Sequence, residues 1–168
     1  MTLTLRIIHI LAGVFWTGTA VFTAFFLVPA VRALGPAGGP VMQQIAEKRK
    51  LPIYFMIAGF LTVLSGIGLY SKASGGFSNQ WMHSGPGMTF GIGAVFAILA
   101  MVIGMAVAGP TAKRAGALAG TIAKAGRPTP EQQAEMRRLQ ARMGKAGALG
   151  AVLLVCATIA MAVARYIP

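Results

Sequence analysis

Four long apolar stretches dominate this chain and leave it few ways to fold. They lie at roughly residues 7–30, 52–71, 87–109 and 145–166. Each reaches the about 20 helical residues needed to cross a bilayer. In hydrocarbon every backbone N–H and C=O must find its partner inside its own segment, which makes each stretch a helix. The rest of the composition agrees. Of the 168 residues, 56% are hydrophobic and only 11% are charged, against about 25% charged in soluble domains. The expected fold is all-α: an integral membrane four-helix bundle forming a single domain over residues 1–168. The first apolar stretch is too long for a signal peptide and lacks a small-x-small cleavage site.

The net charge of +12 raises the question of nucleic acid, but its placement answers to the membrane. The segment 31–51 carries Arg32, Lys48, Arg49 and Lys50. The segment 110–144 carries Lys113, Arg114, Lys124, Arg127, Arg137, Arg138 and Arg142, with Lys145 at the edge of the next span. Only Arg6, Lys72 and Arg165 fall on the other side. Such asymmetry follows the positive-inside rule and predicts a bacterial-type inner membrane protein with both termini outside. The basic loops then face the cytoplasm and anionic lipid headgroups, and no nucleic-acid partner is expected.

The connections have their own signals. Gly35-Pro36 and Gly38-Gly39-Pro40 break the chain after span 1, and a short helical piece around Met42–Lys50 leads to Pro52 in the first turn of span 2. Between spans 2 and 3, either Asn79 caps a short helix carrying Trp81 and His83, or Ser84 caps span 3 with Pro86 in its first turn. Segment 110–144 is helix-forming to about Lys124 and is broken at Gly126-Arg127-Pro128. It restarts at Thr129-Pro130-Glu131-Gln132, a capping box. This predicts a basic cytoplasmic helical hairpin projecting roughly 20 Å past the membrane at 1.5 Å per residue. Such a hairpin is either simply solvated and lipid-facing or a surface for partner subunits or a homo-oligomer.

Two histidines occur, His9 and His83, and the topology places both towards the outer face. An ionisable ring inside a span is costly and therefore a functional candidate. Imidazoles from two helices are what a buried b-type haem needs for axial ligation. Gly13 and Trp16 follow His9 by four and seven residues and share its helical face. Gly13 would give a flat macrocycle clearance and Trp16 would line its edge. The plainer reading is a histidine hydrogen-bonded between helices, with Gly13 serving helix packing. His83 is the second ligand candidate, with Met82 or Met88 as other possibilities opposite His9. Arg6, Lys72 and Arg165 are available to haem propionates, or simply snorkel to the interface. Tyr70 and Tyr166 read first as interfacial aromatics.

Other chemistries lack their residues. The spans hold no acid, since Glu47, Glu131 and Glu135 all lie in the basic segments. No phosphate loop, dinucleotide fingerprint or Ser-His-acid set occurs. Cys156 is the only cysteine and reads as a small buried apolar residue. Met82 and Met88 beside His83 leave a soft copper site as a further reading.

The stretch Leu5-Arg6-Ile7-Ile8-His9-Ile10-Leu11, followed by Phe15-Trp16-Thr17-Gly18, resembles the first helix of a known group. These are the four-helix membrane proteins related to copper-resistance protein D and to the HemJ-type protoporphyrinogen oxidase. In that group an early His-Ile/Leu-x-x-x-x-x-Trp-x-Gly helix recurs, with a proline at its inner end, as Pro29 is here. Trp81-Met82-His83 is similar to the Trp-Leu-His that opens the third helix of the HemJ type. The resemblance implies a haem- or porphyrin-binding bundle with His9 at the haem-ligand position. It departs at Gly85, where the HemJ type has a functional lysine, and span 3 offers no substitute. The expected function is a b-type haem protein, cytochrome b-like, serving electron transfer or acting as a redox subunit. The alternatives are a protoporphyrinogen oxidase-like enzyme, a copper transport protein, and a cofactor-free accessory subunit of a membrane complex.

Overall fold

In the computed structural model, which describes residues 2–168, the chain is helical almost throughout. Four long helices span Thr2–Ala33 (α1), Leu51–Ala73 (α3), Gly85–Ala125 (α5) and Pro130–Val163 (α6). Two short ones, Gly38–Gln43 (α2) and Asn79–Met82 (α4), lie in the connections. All four long helices are long and apolar enough to cross a membrane. Side-chain placement is inverted relative to a water-soluble bundle. Leu11, Val14 and Leu64 are 66%, 69% and 63% exposed, whereas the core consists mainly of alanines around Trp16 and Leu154. Small residues inside and large apolar residues outside is how helices pack when lipid is the solvent. The chain is a multi-pass four-helix membrane protein.

The helix ends follow local chemistry. Thr129 accepts from the Gln132 N–H at 3.3 Å, and the Gln132 side chain accepts from the Thr129 N–H at 2.9 Å, the expected capping box. Gly126 ends α5 at φ +82°, a left-handed turn that a side chain would resist. Both proposed starts before span 3 exist, with one correction. Ser84 caps α5, but the short helix α4 is capped by Ser78, and Asn79 is its first residue. Ser78 has the extended backbone that a cap needs and accepts from the Trp81 N–H.

Two prolines lie inside long helices without ending them. A proline lacks the N–H donor and its ring crowds the carbonyl four residues back. The chain absorbs this with wide i→i+5 turns at Thr23–Leu27 before Pro29 and Gly104–Ala108 before Pro110. The Val28 N–H reaches back to the Thr23 carbonyl, and that of Gly109 to Gly104. α1 therefore continues to Ala33, and α5 runs on to Ala125 as one arm of the hairpin.

Packing is closest between α1 and α3 and between α5 and α6. α1 also rests on α6, while α3 touches α5 only lightly, so α1 and α5 occupy opposite corners. Both termini lie at one end, and the hairpin at the other. Arg32 ties the far end of α1 to the hairpin, donating from Nη2 to the Gln140 carbonyl at 2.9 Å. It lies across Gly144, where an added Cβ would sit 2.7 Å from that nitrogen.

The hairpin tip should respond to acid. Glu131 lies in the first turn of α6, where its own backbone N–H and then the Thr129 hydroxyl hold its carboxyl below the ordinary value. A depressed folded pKa contributes stability above the unfolded value and loses it as pH falls through the folded one. Protection factors of the 126–135 amides, measured by hydrogen exchange, should therefore drop as pH falls below the ordinary carboxylate range. Glu131→Gln should remove that dependence. Thr129→Ala should lower protection at all pH values, by about 1 kcal/mol for a lost cap.

Candidate functional site

The site builds outward from the contact of α1 with α3. On α3, Gly59, Thr62 and Gly66 recur at three and four residues and form one flat strip. On α1, Trp16, Gly13 and His9 do the same in the opposite direction. The two strips meet register by register. A Cβ added at Gly59 would lie 3.1 Å from Trp16, one at Gly13 lies 3.5 Å from the Thr62 methyl, and one at Gly66 would lie 2.9 Å from His9 Cε1. His9 thus packs against Gly66 with the Cε1 corner of its ring nearest.

At that position His9 Nδ1 is 2.8 Å from the Thr62 carbonyl oxygen and 3.3 Å from Ser65 Oγ. A carbonyl can only accept, so Nδ1 carries the proton and donates. Ser65 Oγ donates to the Leu61 carbonyl, which leaves its lone pair for the same Nδ1–H. Thr62 in turn donates its hydroxyl to the Ala58 carbonyl at 2.7 Å. In the neutral ring, therefore, Nε2 holds the lone pair. This second-atom hydrogen bond is what fixes the tautomer and orientation of a ligating histidine. Thr62, Ser65 and Gly66 were not singled out in the sequence as partners of His9. Their trace is the run of small and hydroxyl residues at one face of span 2.

Gly13 and Trp16 sit on the same face as His9, as their spacing requires, but that face is turned onto α3. Gly13 is covered by Thr62. Trp16 is 3% exposed and meets Phe55 edge-on, with ring centroids 6.3 Å apart. Both serve the helix contact in this arrangement.

His83 lies at the same end of the bundle, exposed at the C-terminus of α4. Its Nδ1 donates to the Asn79 carbonyl at 2.8 Å, so it too is left with Nε2 as acceptor. Gly66 is seven residues inside the end of α3, which places His9 roughly 10 Å deeper than that end. α1 and α5 stand at opposite corners, and no hydrogen bond joins the two rings among the described residues. Around His83 the chain is ordered by aromatics. Tyr70 donates its hydroxyl to the Gly87 carbonyl at 3.1 Å and packs edge-on to Trp81 at 5.2 Å. Tyr70 thus links α3 to the start of α5, more than an interfacial position required.

Arg6, Lys72 and Arg165 are all exposed at the terminal end. Arg165 lies over the Tyr166 ring at 5.0 Å. At Gly85 a Cβ would collide with the carbonyl oxygen of Pro168, which seats the last residues against the start of α5. A lysine cannot occupy this position without displacing them. Cys156 is half-buried, and no group of three His, Cys, Asp or Glu side chains converges among the described residues. No known protein family, curated protein or solved structure matches this chain.

The contact over Gly66 is open to a direct test. Gly66→Ala should push His9 off its carbonyl and lower stability by about 1–3 kcal/mol, the cost of overpacking. Gly68→Ala should change stability by under about 0.5 kcal/mol, because its Cβ would meet only the flexible end of Leu5, at 3.4 Å. Both variants gain the same helix propensity, so their difference in thermal unfolding in detergent isolates the His9 contact.

Proposed function

We propose that this chain is a multi-pass protein of a bacterial-type inner membrane that binds one b-type haem through His9. The haem would lie near the face carrying both termini and serve electron transfer, alone or as a redox subunit. The observation that carries this reading is the Nδ1 hydrogen bond to the Thr62 carbonyl, which leaves Nε2 as a preset ligand atom inside a membrane bundle. His9 and His83, each bonded through Nδ1 to a backbone carbonyl, would hold the haem through Nε2. Arg6 and Arg165, at the same end, would take the propionates. A haem held this way supplies a one-electron carrier. Two imidazoles holding the iron would favour electron transfer over oxygen chemistry.

The charge asymmetry supports the orientation: the hairpin and the α1–α3 connection in the cytoplasm, the termini outside. The resemblance of the His9 and Trp81-Met82-His83 segments to porphyrin-binding membrane proteins supports the cofactor. It does not extend to the oxidase, since the seat of the functional lysine is Gly85 under the Pro168 carbonyl. The second reading is a cofactor-free subunit of a membrane complex. It is favoured by the packing of Gly13 and Trp16 against α3, which uses the clearance that a macrocycle would need there.

Visible spectra of the detergent-purified protein, oxidised and dithionite-reduced, separate these readings. Haem binding gives a Soret band with sharp reduced α and β bands at one haem per chain, abolished in His9→Ala. His83→Ala should keep the haem but convert it to a form that binds carbon monoxide. A wild-type protein that stays colourless after haem addition leaves the cofactor-free subunit.

A further inference from the structure

The hairpin end carries a second feature, independent of the histidines. A groove of about 500 Å³ runs between α5 and α6 at the level where the apolar spans give way to the hairpin. Ile103 and Val107 of α5 line one side, and Arg138, Arg142, Lys145 and Leu149 of α6 line the other. These four α6 residues follow at intervals of four, three and four, so they form one stripe along the helix. The stripe is about 16 Å long at 1.5 Å per residue, cationic at the hairpin end and apolar at the membrane end.

Like charges at these spacings repel, so the cations need a counter-charge. Arg138 has only an exposed contact with Glu135 at 3.8 Å, the sole ion pair among the described residues. Surface pairs of this kind contribute little. Arg142 and Lys145 have no carboxylate partner among the described residues. A soluble anion would satisfy the charges but has no use for the wall of Ile103, Val107 and Leu149. An amphiphile with a phosphate beside an acyl chain matches both halves. Lys145 stands at the edge of the fourth apolar run and Val107 near the end of the third, so the groove lies where the apolar spans end. Basic clefts between membrane helices are a recurrent seat for acidic lipid headgroups.

We propose that this groove is a binding site for one anionic phospholipid, its phosphate held by Arg142 and Lys145 and an acyl chain lying along Ile103, Val107 and Leu149. Native mass spectrometry of the full chain tests it, titrating phosphatidylglycerol against phosphatidylcholine of the same chains. One phosphatidylglycerol should bind in preference to phosphatidylcholine. Arg142→Gln/Lys145→Gln should weaken that binding about tenfold or more, given the effect of each basic residue near a lipid surface. Lys113→Gln/Arg114→Gln removes the same charge outside the groove and should change it less than about twofold. Leu149→Gln, with every cation in place, should also weaken it. Circular dichroism establishes that each variant keeps its helices. Equal loss in the two double variants, or no preference for phosphatidylglycerol in the wild type, would overturn the site. Release of the lipid by millimolar inorganic phosphate, with Leu149→Gln unaffected, would overturn the lipid in favour of a free phosphate.

Discussion

The contact of α1 with α3 governs how this molecule is built. Between membrane helices there is no hydrophobic driving force, so close approach and hydrogen bonding must supply the association. Gly59, Thr62 and Gly66 allow the approach, and Trp16, Gly13 and His9 fill it. The bond from His9 to the Thr62 carbonyl contributes about 0.6–2 kcal/mol by analogy with other interhelical bonds in lipid. The buried Trp16 and the continuous strip therefore hold the pair, and the bond decides how the imidazole is oriented. A polar ring in a span would otherwise be a liability. Here it is satisfied at one nitrogen and left basic at the other.

The bundle divides its chemistry between two ends. At the terminal end lie both histidines, the Tyr70–Trp81 pair and three dispersed cations. At the other end lie the basic hairpin and the Arg32 clamp onto α6. With only three acids in the chain, nearly all of this positive charge is left for the surroundings to neutralise. Lipid phosphate is the counter-charge that a membrane provides at that level. A guanidinium reaching a backbone carbonyl, as Arg32 does, also holds α1 to α6 where no apolar side chain could do so in contact with water.

Much of the architecture was legible because it rests on local rules. Apolar length placed the four spans, and Thr129 with Gln132 and Gly126 placed the hairpin turn. Two kinds of information were absent from a single sequence. One is what lies opposite a helical face. Spacing put Gly13 and Trp16 beside His9, but nothing in α1 says that Thr62 and Gly59 cover them. The other is how a proline is absorbed. Continuation past Pro110 to about Lys124 was legible from the helix-forming sequence, but the wide i→i+5 turns that carry the helices past Pro29 and Pro110 were not. The cap at Ser78 was missed for a smaller reason, since Asn79 beside it is equally good at capping and only the backbone angles choose. Gly85 read as a missing lysine, whereas in the fold it is the seat of the Pro168 carbonyl.

The α1–α3 contact sets the tautomer of His9, with the proton on Nδ1 and the lone pair on Nε2. Nitrogen NMR of the haem-free protein, labelled with ¹⁵N-histidine and assigned with His9→Ala, tests it directly. In the neutral ring, Nδ1 should bear the proton and Nε2 should show the shift of an unprotonated nitrogen. A His9 ring protonated at Nε2 and bare at Nδ1 would contradict it.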